Sequence, residues 1–142
     1  ELKRAKRYKR PVSLCMITVD NFRDIQMSIG ALASDSVLKA VGSVVKGAIR
    51  DVDIPARFSA QEFAIILPET NAAGATIVAE RIRARVNGHE LMHNWRNIKV
   101  TTCVGVASFP THAREHDELI HRTIQALELA ESRGGDQVVA AV

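Results

Sequence analysis

The segment 12–19, VSLCMITV, constrains the fold most. Its eight residues carry no charge and are rich in β-branched side chains, which predicts a buried strand. Two more short apolar runs, 54–58 and 63–67, are separated by only four residues and predict a β-hairpin. A chain that buries such a strand next to a hairpin must cover the sheet with other elements.

Three segments have apolar residues at helical spacing and supply that cover. The first is 34–49, with Ser34 as the candidate N-cap. The second begins at Thr70 or Asn71, directly after a proline that stops the preceding strand. The third begins at Asp117 and is closed by a pair of glycines. All three are long enough to pack across a sheet.

The remaining segments complete the order β-α-β-β-α-β-α-β. We predict a polar loop at 87–97, a strand at 98–109 and a short last strand around 138–139. Strands joined by both hairpins and helices indicate an α/β (α+β) fold, with a mixed, mostly antiparallel central sheet flanked by helices. We expect 1–11 to be a basic lead-in helix or linker and 12–142 to be one domain.

The positive charge is concentrated at the start of the chain. Residues 1–10 hold six Lys/Arg and one Glu and so carry a charge of +5. Because the net charge of the whole chain is +3, the remaining residues carry about −2. Only Tyr8 interrupts the basic residues, so a solvated helix is favoured over a nucleic-acid surface. No apolar run approaches the length of a membrane span, so we expect no membrane insertion. Cys15 and Cys103 lie in apolar runs away from metal-ligand spacings, which favours reduced thiols and a cytoplasmic location.

An ordered set of motifs resembles the GGDEF domain family over nearly the whole chain. The residues Asp20-Asn21-Phe22-Arg23 are similar to that family's D-x-F-K, and 57–70 is similar to R-x-GGDEF-A-x-x-L-P-x-T. The segments 79–83, 104–107 and 126–134 are similar to A-E-R-I-R, S-I-G-x-A and A-L-Y-x-A-K-x-x-G. The resemblance implies the nucleotide-cyclase-like fold of that family.

The resemblance also implies a chemistry, in which two paired domains condense two GTP molecules to cyclic di-GMP with two divalent metals each. Asp20 corresponds to a metal-binding Asp, and Asp35 corresponds to a guanine-contacting Asp. Glu62 remains in the hairpin motif, but Gln61 replaces the acidic residue before it. A neutral amide neither offsets charge nor accepts a proton near neutral pH. We therefore interpret these four residues as remnants of an active site.

Further departures from the family pattern point the same way. Ser59 and Ala60 replace both glycines of the hairpin, and Met27, Glu131 and Gly135 stand where the family has Asp, Lys and Arg. Together these changes remove a metal ligand, two phosphate-facing cations and most of the base-recognition set. We expect no catalytic residue, no bound metal and no cofactor, and hence no enzyme activity.

A second motif of the family is kept. Arg50 and Asp53 form an R-x-x-D sequence six residues ahead of Ser59, and the resemblance implies that such a motif binds cyclic di-GMP, with Arg81 as a further contact. An Arg fork can pair with guanine O6 and N7, and an Asp can accept from its N–H edge. The alternative is a solvated ion pair at a helix end, which contributes little.

The sequence therefore predicts a catalytically inactive signalling domain that binds cyclic di-GMP and relays it to an effector, through a protein partner or fused signalling domains. A homodimer stays open. One alternative is a nucleotide-independent dimerisation or protein-interaction module. Another is a residual GTP-binding diguanylate cyclase.

Overall fold

The computed structural model describes residues 1–88, 91–93 and 96–142, and for residues 91–93, 96 and 97 it describes the backbone alone. In chain order the described elements are α1 (Leu2–Tyr8), β1 (Val12–Val19), α2 (Phe22–Ile29), α3 (Ala31–Ala48), β2 (Ile54–Arg57), β3 (Glu62–Pro68), α4 (Ala72–Asn87), β4 (Leu91–His93), β5 (Arg96–Ile98), β6 (Thr102–Phe109), α5 (His116–Ser132) and β7 (Gln137–Ala140).

The central sheet has five strands in the order β2-β3-β1-β6-β7. The apolar strand β1 lies in the middle and pairs antiparallel with both neighbours, so that Cys15 lies opposite Ile65 on β3 and Val106 on β6. Among the described strands, only β6 and β7 pair in parallel. The predicted mixed, mostly antiparallel sheet is confirmed.

Helices cover both faces of the sheet. On one face, Ile17, Ile65 and Val104 belong to the cluster that α3 and α4 complete. On the other face, Met16 of β1 packs with Leu127 of α5. Because these side chains are almost fully buried, each contributes on the order of 1.5–3 kcal/mol to folding through the hydrophobic effect. The strands β1 and β6 are buried on both faces, as the uncharged sequence of β1 predicts.

The beginning of the helix predicted at 34–49 differs from the prediction. Ser34 is not an N-cap, because α3 already begins at Ala31 and the Ser34 hydroxyl donates to the Ala31 carbonyl inside the helix. A short helix, α2, precedes it and was not predicted. Gly30, with φ +87°, separates the two helices. Asn71 does cap α4, since its side chain accepts from the Gly74 amide.

The prediction of a loop at 87–97 is wrong in part, because β4 and β5 pair there as a small antiparallel sheet. Residues 89, 90, 94 and 95 of that segment lie outside the described residues. The strand predicted at 98–109 begins only at Thr102. Three-residue strands are too short to show a period in the sequence.

The basic lead-in forms α1, whose Ala5 packs against Val12 and Phe109. The boundary at residue 11 stays a prediction. None of the described helices is both long and apolar enough to cross a membrane.

Candidate functional site

The hairpin between β2 and β3 is held by its own polar groups. The Phe58 amide donates to the Glu62 carbonyl at 2.9 Å, and the Ser59 hydroxyl donates to the Glu62 carboxylate at 2.7 Å. Arg57 donates to the Ala60 carbonyl across the turn. Gln61 lies exposed at the tip. The hairpin is therefore formed without its glycines, and the Glu62 carboxylate is engaged within it.

Asp20 lies directly after β1, where its carboxylate receives three donors. The Thr101 hydroxyl donates at 2.7 Å, the Cys103 thiol at 3.0 Å and the Asp136 backbone amide at 2.8 Å. Its own amide donates to the Thr101 carbonyl. Asp20 thus ties the end of β1 to β6 and to the loop before β7.

The Cys103 thiol is a hydrogen-bond donor in this arrangement. Burial, the hydrogen bond to Asp20 and the Asp20 charge together raise the pKa of its thiol to about 12. The thiol therefore keeps its proton at neutral pH and donates a hydrogen bond to the carboxylate.

Carboxylates gather where the family resemblance implies a triphosphate. Partial burial, together with the charges of Glu62, Asp20 and Glu128, raises the pKa of Glu131. Burial is the largest of these causes, and the three neighbouring carboxylates add negative charge around Glu131. A GTP triphosphate would meet repulsion there, where the motif of the family carries a lysine.

These residues do not fit the two divalent cations that the family resemblance implies. Magnesium prefers several anionic oxygen ligands, whereas Gln61 is neutral and Asp20 is surrounded by donors. Across the described parts of the chain, no three His, Cys, Asp or Glu side chains are grouped closely enough to hold a metal. Asp35 lies exposed on α3, with its carboxylate 3.7 Å from the Lys39 ammonium.

The R-x-x-D motif forms a closed turn between α3 and β2. The Asp53 carboxylate accepts from the Arg50 amide at 2.8 Å and from Arg50 Nη2 at 2.8 Å and Nε at 3.3 Å. Arg50 also donates to the Pro68 carbonyl and to the Thr70 hydroxyl. The hydrogen bond to Asp53 raises the pKa of Arg50. The Asp53 side chain is 0% exposed and that of Arg50 is 54% exposed, so only the arginine faces solvent.

Arg81 lies at the same corner of the molecule. Its Nη1 donates to the carbonyl of Ala48 at 3.0 Å, two residues before Arg50. Arg85 does the same for Gly47. The structure thus brings Arg50, Asp53 and Arg81 to the C-terminal end of α3, with Arg81 bound to the helix carbonyl.

A cavity of about 450 Å³ opens beside Arg50, between α1 and the end of β3. Residues from the lead-in and from the Arg50 turn line it together, among them Arg4, Tyr8, Arg10, Arg50, Val52 and Glu69. Neither Asp53 nor Arg81 is part of its wall. Sequence reasoning missed this cavity, because its wall is formed by segments that are far apart in the chain.

The family model described as diguanylate cyclase, GGDEF domain, matches residues 1–137. Diguanylate cyclase A of Treponema denticola is 33% identical over 130 residues, which are 92% of this chain and 35% of that protein. The response regulator PleD of Caulobacter vibrioides is 31% identical over 97% of this chain and 31% of its own length. This chain therefore spans about a third of these relatives.

Solved structures share the fold. The active GGEEF domain of a diguanylate cyclase from Vibrio cholerae superposes with a TM-score of 0.91 at 30% identity, covering 99% of this chain and 88% of that chain. Diguanylate cyclase SiaD of Pseudomonas aeruginosa, in complex with its activator SiaC, superposes with a TM-score of 0.93 at 28% identity, covering 99% of this chain and 54% of that chain.

Proposed function

Because this chain belongs to the GGDEF domain family of diguanylate cyclases, we propose that it is a member without cyclase activity that binds cyclic di-GMP beside Arg50 and relays that binding to a partner. The matched protein of Treponema denticola and the two solved structures are described as diguanylate cyclases. The departure from their activity rests on the residues of the site itself.

The observation that carries the proposal is the state of the Asp20 carboxylate. Three donors occupy it, while the hairpin offers the neutral Gln61 in place of a second acid. Glu131 adds negative charge where the leaving pyrophosphate needs compensation. Loss of one such group typically lowers a rate by about 10²–10³, and here several are lost together.

Ligand binding is supported by the Arg50 turn. Its side chain is 54% exposed, and four acceptors on Asp53, Pro68 and Thr70 fix its orientation through Nε and Nη2. The guanidinium can still donate through Nη1 to a phosphate oxygen or to guanine O6 or N7. Arg50 also lines a cavity of about 450 Å³, which has space for part of a nucleotide.

The proposed relay is based on the length of two relatives and on the partner of a third. Diguanylate cyclase A and PleD are about three times as long as this chain. The structure of SiaD contains a separate activator protein, SiaC. We propose that this domain acts in the cytoplasm, through fused domains or a protein partner, with a homodimer as one form of that contact.

Calorimetric titration with cyclic di-GMP and with GTP tests the proposal. We expect micromolar binding of cyclic di-GMP, a loss of at least tenfold in Arg50→Ala, and wild-type affinity in Arg23→Ala, a control that removes an exposed arginine from α2. With GTP and magnesium we expect no cyclic di-GMP by chromatography.

The alternatives predict other results. Product formation from GTP would overturn the proposal and establish a residual cyclase. Absence of binding by either nucleotide would overturn it in favour of an interaction module.

A further inference from the structure

We propose that β2 and β3, on the face of the sheet that α5 covers elsewhere, form a docking surface for a basic amphipathic helix of a protein partner. We call this region the β2–β3 surface, and its residues are Ile54, Ala56, Phe58, Ala64 and Ile66. The inference rests on the proposed contact with a partner and states where that contact is made.

The strand register puts these side chains on one face of the sheet. Ile54 lies opposite Ile66, and Ala56 lies opposite Ala64. Directly opposite residues of an antiparallel pair point to the same face. Ala64 in turn lies opposite Met16 of β1, which packs against α5. The β2–β3 surface is therefore a continuation of the face that α5 covers.

The helices of the domain leave this part of the face open. The helix α5 packs on β1, β6 and β7, and α1 covers one end of the face, where Ala5 packs with Phe109. Beside them Ile54 is 42% exposed, and Phe58, which follows the same alternation, is 50% exposed. Large apolar side chains exposed together in this way indicate an interaction site.

The open strip has the dimensions of one helix. Neighbouring strands lie about 4.8 Å apart, so β2 and β3 offer a width of roughly 10 Å, which is the diameter of a helix. From Ile54 to Phe58 the strand extends about 13 Å. Tyr8 and Val52, both exposed and both in the wall of the cavity beside α1, prolong the apolar strip. A partner helix of about three turns can therefore lie beside α5 on the same sheet.

A strand is a poorer occupant than a helix. The Phe58 amide points to β3, where it donates to the Glu62 carbonyl. Because the direction alternates along an antiparallel strand, the backbone groups of Pro55 and Arg57 point to the free edge instead. Proline has no N–H, so within β2 Arg57 alone offers a donor to an added strand. Few hydrogen bonds would be gained along the edge, which favours an occupant that lies on the face.

Carboxylates at the hairpin end of the surface set the charge of the partner. The charges of Glu62 on β3 and Glu128 on α5 raise the pKa of Glu131, after the larger effect of burial, so the three carboxylates lie close enough to interact. Lys or Arg beside the apolar residues of the partner would complement this negative charge, and Asp or Glu would be repelled. The cations of α1 lie at the opposite end of the face, so the basic residues of the partner belong at the hairpin end.

Fluorescence anisotropy with two labelled synthetic peptides tests the surface on the intact domain. Each is a helix of about 14 residues with leucines at helical spacing, and one carries lysines at one end where the other carries glutamates. We expect the lysine peptide to bind with micromolar affinity, at least about tenfold more tightly than the glutamate peptide at low salt.

Variants of the domain locate the binding. Ile54→Ser and Phe58→Ser should each weaken binding of the lysine peptide about tenfold or more, because each removes an apolar contact. Ala56→Arg, at an exposed position, should weaken it similarly by blocking the middle of the surface. Ile77→Ser is the matched control, since Ile77 is 62% exposed on α4, which packs on the other face of the sheet. It should change the affinity less than about twofold. Thermal melts establish that each variant is folded.

The outcomes separate this inference from the binding of cyclic di-GMP. Equal affinity for the two peptides, or an equal loss in Ile77→Ser, would overturn the β2–β3 surface. Absence of peptide binding by a domain that binds cyclic di-GMP would overturn the surface alone. Peptide binding with the expected losses, by a domain that does not bind cyclic di-GMP, would support the surface and remove the proposed ligand. A dimer in sedimentation that is lost in Phe58→Ser would assign the surface to a second copy of this chain and overturn the partner helix.

Discussion

At the scale of one residue, the ionisation of Glu131 affects the stability of the folded domain. Its pKa is raised above the ordinary 4.5 by partial burial and by neighbouring carboxylates. A carboxyl with a higher pKa in the folded than in the unfolded state destabilises the fold wherever both states are ionised. The penalty shrinks as the pH falls through the folded pKa, and it is gone below the unfolded pKa.

Replacing Glu131 by Gln should therefore stabilise the domain at pH 7. We expect a gain of about 0.5 kcal/mol, since Glu131 is only partly buried and remains accessible to solvent, which screens its interactions with the neighbouring carboxylates. The gain should diminish as the pH falls through the folded pKa of Glu131 and vanish below the ordinary value of 4.5, as measured by urea unfolding at each pH. Glu118→Gln, in the first turn of the same helix, removes a carboxylate that favours a helix N-terminus and should give no gain. A constant gain across this pH range would contradict the argument.

The R-x-x-D turn marks the limit of sequence reasoning at this scale. A three-residue spacing brings Arg50 and Asp53 together locally, so their pairing could be predicted from the sequence. The burial of Asp53 could not, because it depends on packing against distant strands, close enough for its charge to raise the pKa of Cys15 on β1. The same holds for the cavity, which needs α1 beside the end of β3.

At the scale of elements, one glycine sets the distance between β6 and α5. A Cβ added to Gly105 would lie 2.5 Å from both the Leu127 amide nitrogen and the Thr123 carbonyl oxygen. Backbone atoms cannot yield as a flexible side chain does, so the helix would have to move. We expect Gly105→Ala to lower the free energy of unfolding by about 1–3 kcal/mol or more, measured by urea titration.

The matched control is Gly47→Ala in α3, where an added Cβ meets nothing within 4 Å. There the better helix propensity of alanine should raise stability by up to about 1 kcal/mol. Equal effects at the two positions would show that propensity decides, rather than the close approach of β6 to α5.

Length explains which elements the sequence predicted. The eight-residue strands and the long helices carry enough apolar residues to show a period of 2 or 3.6, and the hairpin follows from the short gap between its strands. The helix α2 spans eight residues, and β4 and β5 span three each. Such short elements take their conformation from neighbours, as α2 does by packing Phe22 into the core.

At the scale of the molecule, Asp20 is the centre of a polar network that joins separate parts of the chain. It receives the amide of Asp136, whose own carboxylate accepts from Arg83 Nη1 at 2.8 Å and from the Asn87 side chain at 2.9 Å. The end of β1, the helix α4 and the start of β7 are thus connected through two carboxylates. Asp136 adopts a left-handed backbone conformation, with φ +50°, to make these contacts.

This network gives the sign of the effect of removing Asp20. In a metal site without its metal, deleting one of several clustered carboxylates relieves repulsion and raises stability. Here Asp20→Ala leaves the Thr101 hydroxyl, the Cys103 thiol and the Asp136 amide without their acceptor, at a cost of about 2–4 kcal/mol. We expect a lower urea midpoint with one cooperative transition, because the loss falls on the whole fold. Asp51→Ala, at an exposed position in the turn after α3, should change stability by less than about 0.5 kcal/mol. A rise in stability in Asp20→Ala would mean that the carboxylate still serves as a ligand awaiting a cation, and the proposed loss of cyclase activity would lose its main support.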